Sequence, residues 1–148
     1  MAKFKFRLDS ILRLRGNQRD ERRAELVKAL HAEDVLRQHI DELEQELAEI
    51  RKLRTVRAGA IDIDRLMDAN RYELVLKANR KLLDDQIAAV VVETRRRQAE
   101  LVAADRELKV LEKLRETQLQ RHQQETQRIE MKALDEIAGR RHLREERL

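Results

Sequence analysis

Cysteine, proline and tryptophan are missing from this chain of 148 residues, and only two phenylalanines and one tyrosine occur in it. Without cysteine there is no disulfide framework and no thiolate metal site, which fits a reducing cytosol. With 2% aromatic and 42% charged residues, the chain holds too little apolar volume to fill a broad globular core. The lack of proline works the other way, since nothing interrupts a long helix. Long hydrophobic runs are missing too. The longest, IAAVVV at 87–92, is about a third of the roughly 18 residues needed to cross a bilayer. Lys5, Arg7, Asp9 and Arg13 break up anything like the apolar middle of a signal peptide, so the chain reads as mature and unexported.

Strong helix formers make up most of what is present: Leu, Ala, Glu, Lys, Arg and Gln. From Leu36 the apolar residues step by four and three through Ile40, Leu43, Leu47 and Ile50, a heptad seam. A second seam runs through Leu76, Leu83, Ile87, Val90, Leu101, Ala104, Leu108, Leu111 and Ile129, with polar residues such as Arg80, Thr94, Arg97, Gln118 and His122 at the intervening positions. Between the seams lies RTVRAGAIDID, where Gly59 supplies a turn and Asp62 or Asp64 can cap a new helix. These signals predict an all-α fold, a single elongated unit over 1–148. It is a long two-helix antiparallel coiled-coil hairpin with the second helix longer: a helix over about 10–57 capped by Asp9 or Ser10, a turn at about 58–62, a helix over about 63–138 stopped by Gly139, and a basic C-terminal tail. At 1.5 Å rise per residue the arms are roughly 70 and 110 Å long, so the second overhangs the first.

Folding about residue 60 matches position i with about 121 minus i. Leu36–Ile50 then faces Leu76–Val90, and Leu8–Leu14 faces Leu108–Leu114. Between these clusters Arg19, Arg22 and Arg23 come near Arg95, Arg96 and Arg97, with Glu25, Glu93 and Glu100 as the nearby compensation. A belt of this kind predicts loose packing in the middle of the hairpin.

Catalytic chemistry finds no foothold. His31, His39, His122 and His142 are scattered, and no ligand spacing links them to carboxylates. Pairs such as Glu42 and Glu46 lie one turn apart on a solvated helix face with no pocket to raise a pKa. There is no glycine-rich phosphate loop and no nucleophile motif, so neither an enzyme, a metal nor a cofactor is expected. The net charge of +4 is unevenly spread: Met1–Lys28 holds nine Lys or Arg against four Asp or Glu, whereas Leu30–Lys52 holds three against seven. KFKFR, ETRRRQ and GRRHLREERL suggest nucleic acid, but Glu100, Glu145 and Glu146 interrupt the basic runs. The first sixteen residues suit an anionic membrane surface better, although Leu8, Ile11 and Leu12 are read first as the base of the coiled coil.

Two aromatic features stand out. Phe4 and Phe6 alternate with lysines among the first six residues, although a folding core would normally claim a chain's few phenylalanines, which points to an insertion tip for a partner. Tyr72, just past the expected turn, is either a seam residue or an amphipathic anchor for a partner.

The opening KFKFRLDSILRLRGNQRDERRAELVKAL, the turn AGAIDID followed by NRYELVL, and the closing EMKALDEIAGRRHLREE together resemble the FliJ family of the bacterial flagellar type III export apparatus. The resemblance implies a coiled coil similar to the stalk of rotary ATPases. It implies a place in the centre of the hexameric export ATPase FliI, whose assembly and activity it promotes, and contact with the cytosolic region of the export gate protein FlhA and with export chaperones. The family setting is flagellum biogenesis, chemotaxis and protein transport, in the cytoplasm and peripheral at the cytoplasmic face of the inner membrane. No nucleic acid is then expected. Carried onto this chain, ring docking falls to Phe4, Phe6 and Leu8 with Arg140, Arg141 and Arg144, and gate docking to Gln38, Tyr72, Leu76 and Leu83. The seam read here buries Leu76 and Leu83, which leaves Tyr72 and Gln38 as the accessible pair.

Overall fold

Two helices account for most of the described residues. A computed structural model describes residues 3–56 and 62–148, the side chains of 54–56 aside. Helix α1 spans Asp9–Val56 and helix α2 spans Ile63–Glu146, packed against one another as an all-α hairpin with α2 the longer. Gly59 and the rest of 57–61, where most of the expected turn falls, lie outside the described residues.

Helix α1 starts one residue earlier than its polar residues suggest. The Leu12 N–H donates to the Leu8 carbonyl at 2.8 Å, and the Asp9 N–H donates to the Phe6 carbonyl at 3.2 Å. Leu8 therefore holds the cap position, because the turn closed on Phe6 already delivers the chain into helical geometry. Asp9 sits in the first turn, where a carboxylate meets the positive end of the helix dipole, and it pairs with Arg13 at 3.3 Å. At the start of α2 the Leu66 N–H donates to the Asp62 carbonyl at 3.1 Å, which puts Asp62 at the cap and Asp64 in the first turn.

The far end of α2 differs from expectation. The helix runs through Gly139 to Glu146, so the basic segment is helical rather than a tail. A glycine inside a helix costs only about 1 kcal/mol relative to alanine. Here good helix formers flank it on both sides, proline is absent, and Arg144 in the last turn suits the negative end of the dipole. Gly16 lies inside α1 in the same way, and among the described residues no glycine takes a positive φ.

By density of contacts the chain forms two compact units, one of Met1–Arg19 with Ala103–Leu148 and one of Asp20–Val102. In the second, Leu43, Leu47 and Leu76 form a buried cluster against which Ile50 and Leu83 pack. Cross-helix pairs mark the antiparallel register: Arg22 with Glu100 at 3.0 Å and Arg80 with Glu44 at 2.7 Å. Glu73 is buried beside the cluster and meets Lys77 at 3.0 Å and Arg51 at 3.9 Å, since a carboxylate so placed requires cationic company. In the other unit Leu108 is the most buried side chain at 3% exposure, and Arg15 meets Glu107 at 2.7 Å.

All three acids near the arginine belt are engaged. Glu100 takes Arg22 at 3.0 Å, Glu25 takes Arg22 at 3.5 Å, and Glu93 takes Arg96 at 2.6 Å and Arg97 at 2.9 Å, while Arg97 Nη1 also donates to the Glu25 backbone carbonyl at 2.7 Å. Thr94 occupies the seam beside them, buried, with its hydroxyl lacking a hydrogen-bond partner. Ile129, read as the last seam residue, is 59% exposed. It lies beyond the stretch of α2 that the N-terminal residues cover, so nothing of α1 remains to bury it.

Candidate functional site

The N-terminal segment is built on a period of two. Residues 3–6 are non-helical; Phe6 is buried, Phe4 and Leu8 are half-buried, and Lys3, Lys5 and Arg7 are exposed. Such alternation is what an extended strip gives when one face lies on a neighbour. The Phe4 ring sits 5.7 Å from the His122 ring at an interplanar angle of 46°, within the range of favourable aromatic pairs. Phe4 thus packs on α2 and Phe6 is buried, while the lysines form the outward face. The F-x-F-x-L spacing carried that signal in the sequence.

Arg140, Arg141 and Arg144 are exposed in the last turns of α2. Every residue from Gln127 to Leu148 is exposed, including Ile129 at 59%, Leu134 at 64% and Ile137 at 59%. Helical spacing sets Ile129, Ala133 and Ile137 along one face that continues into Arg140 and Arg144. His122, where Phe4 rests, lies about five helical turns before Arg140. The six residues expected to dock a ring thus form two groups on one unit: an apolar strip held on α2, and an arginine cluster further along it.

The residues expected to dock a gate separate differently. Leu76 is buried and Leu83 is half-buried against the Leu43–Leu47 cluster, so both belong to the core. Tyr72 is 50% exposed, and its hydroxyl donates to Glu46 Oε2 at 3.0 Å, from α2 to α1. Gln38 is exposed on α1. Between the helices runs an open groove of about 540 Å³ with Leu43, Leu76 and Leu83 at its floor; His39, Glu42 and Glu46 form its α1 side, and Tyr72, Val75 and Leu82 its α2 side. Gln38 is not among its lining residues. Val75 at 55% and Leu82 at 61% exposure escaped the seam reading, yet their seven-residue interval one place before Leu76 and Leu83 marks them as its flank.

Electrostatics follow these contacts. The hydrogen bond to Glu46, reinforced by the repulsion that its charge imposes on a phenolate, raises the Tyr72 pKa. The protonated phenol is the form the fold favours, so its contribution holds below the ordinary tyrosine range and is lost as pH climbs through the raised value. Hydrogen bonds from Arg96 and then Arg97 lower the pKa of Glu93, whose contribution is present above the ordinary carboxylate range and lost as pH falls through the lowered value. Among the described residues no group of three His, Cys, Asp or Glu is arranged to hold a metal. No described helix is long and apolar enough to cross a membrane.

Comparison with known proteins gives one positive finding: the family model of the flagellar FliJ protein matches residues 4–147. No curated protein and no solved structure matches.

Proposed function

The chain belongs to the flagellar FliJ family, and on that premise we propose that it serves as a non-enzymatic central stalk of the flagellar export ATPase. Membership makes it a component of the flagellar export apparatus. In the proposed role one end enters the hexameric ring of FliI, promotes assembly and hydrolysis there, and couples the ring to the cytosolic region of FlhA. Its place is then the cytoplasm, at the cytoplasmic face of the inner membrane, with export chaperones as further partners.

One observation carries this reading. The last turns of α2 expose Ile129 and Ile137 in line with Arg140 and Arg144, a helical face that no other part of the described chain covers. A helix whose stripe is not buried at home is suited to burying it in a partner, and arginines beside apolar anchors are typical of such contacts. Phe4, Phe6 and Leu8 brace the same unit from within, while Lys3, Lys5 and Arg7 add to its outward charge. For the gate, Tyr72 and the groove beside it are the accessible surface, Gln38 adds an exposed amide on α1, and Leu76 and Leu83 supply the floor.

The test is ATP hydrolysis by the cognate FliI, titrated with the native chain and with a variant carrying Arg140→Glu, Arg141→Glu and Arg144→Glu. Stimulation by the native chain and its loss in the variant, at unchanged helicity by circular dichroism, is the expected result. Equal stimulation by both removes the arginine cluster from the docking surface. No stimulation by the native chain overturns the stalk role.

A further inference from the structure

The single tyrosine of the chain ties the two helices together at the groove. Tyr72 lies on α2, its ring is half exposed, and its hydroxyl reaches Glu46 Oε2 on α1 at 3.0 Å, a contact between residues 26 apart in sequence. A half-exposed tyrosine on a helix surface would otherwise exchange rotamers freely. Here the far end of the ring is anchored to the opposite helix, so the ring is held as a wall of the groove whose other side carries His39 and Glu42. Val75 and Leu82 continue that wall along α2, both exposed. Charge-assisted hydrogen bonds of this kind are stronger than neutral ones, although solvent reaches this pair.

We propose that Glu46 is a positioning residue for Tyr72: by accepting the phenol's hydrogen bond across the helices it fixes the ring as one wall of the groove before a partner arrives. The proposal rests on the reading of this groove as the gate-docking surface. Its physical content is preorganisation. A partner that packs on an already fixed aromatic ring does not have to immobilise it, and a freed side chain returns that cost to the binding step. Glu46 has no need to touch the partner for this to hold.

The experiment measures binding of the full chain to the cytosolic region of FlhA for the native protein, Glu46→Ala, Glu46→Gln, Tyr72→Phe and the double variant Glu46→Ala with Tyr72→Phe. Ionisation of Tyr72, read by ultraviolet absorbance without any partner, is followed in the native chain and the two Glu46 variants. Because the chain has one tyrosine and no tryptophan, that signal reports this residue alone. The expected result is that Glu46→Ala and Tyr72→Phe each weaken binding by about three- to tenfold, and that the double variant is no weaker than either single one. Glu46→Gln should stay within about twofold of native, since its amide oxygen still accepts the hydrogen bond. Tyrosine ionisation should move to lower pH in both Glu46 variants.

Multiplying losses in the double variant, or native-like binding by Glu46→Ala, overturns the proposal while leaving the groove as a docking surface. An unmoved ionisation in Glu46→Ala overturns it as well, because the tie would then be absent in solution. If the native chain does not bind FlhA although its tyrosine responds to Glu46, the docking reading falls and takes the positioning role with it.

Discussion

Two stretches of this chain have nearly the same recipe and opposite fates. Leu36–Ile50 and Gln127–Glu146 are both helical, rich in charge, and carry aliphatic residues at steps of three and four. In the first, Leu43 and Leu47 are buried against Leu76. In the second, Ile129, Leu134 and Ile137 are each about three-fifths exposed. Composition and period do not separate them. What separates them is whether a second helix lies opposite, so burial here is a property of the pairing and not of the stripe. Helical stability in such a chain comes mostly from tertiary contact rather than from propensity, and the unpaired stripe leaves its apolar surface exposed.

The comparison breaks most directly at Leu47. Replacing it with alanine removes a buried side chain from a cluster of three. The expected loss is about 2 to 3 kcal/mol, the lower part of the range for such truncations, because a thin two-helix core lets solvent and neighbours fill part of the space. Urea unfolding followed by circular dichroism checks it. A loss below about 1 kcal/mol would mean that the paired stripe is no more stabilising than the unpaired one, and the contrast would fail.

A second change sharpens the same contrast by improving a weak point of the pairing. Thr94 sits in the seam with its hydroxyl buried and unpartnered. Valine has nearly the same shape and helix preference but no polar atom to desolvate. Thr94→Val should therefore stabilise the protein by about 1 kcal/mol in the same unfolding measurement. A destabilisation would show that the hydroxyl is satisfied in solution and that the belt is better organised than its seam suggests.

Much of this arrangement was legible beforehand, and the misses have physical reasons. The two seams, Leu36–Ile50 and Leu76–Leu111, could be read because the heptad phase holds within each. The pairing could be read because one interruption, around Gly59, sets the fold line: Arg15 with Glu107 and Arg22 with Glu100 fall within a residue of the partners it assigns. The stop at Gly139 failed because a glycine signal worth about 1 kcal/mol cannot outweigh strong helix formers on either side. The burial of Phe6 follows a period of two in a non-helical strip, which a helical period does not capture. At the groove, Tyr72 could be named from its chemistry and Leu76 from the seam. The hydrogen bond to Glu46 could not, since it depends on the rotational phase of two helices, which the seam alone constrains to within a turn.

The smallest expected effect on stability falls at the other end of the comparison. Leu134→Ala with Ile137→Ala removes two large aliphatic side chains, as severe a change on paper as any in the core. Both are exposed and face no helix, so neither leaves a cavity, and alanine is the better helix former. Each substitution should shift unfolding by less than about 0.5 kcal/mol. Stimulation of FliI by this double variant should nevertheless fall, because the apolar surface lost is the surface a ring would bury. Unchanged stability with reduced stimulation separates a docking stripe from a core stripe. A large loss of stability would instead show that the stripe is covered within the isolated protein, and native-like stimulation would assign the docking energy to the arginines beside it.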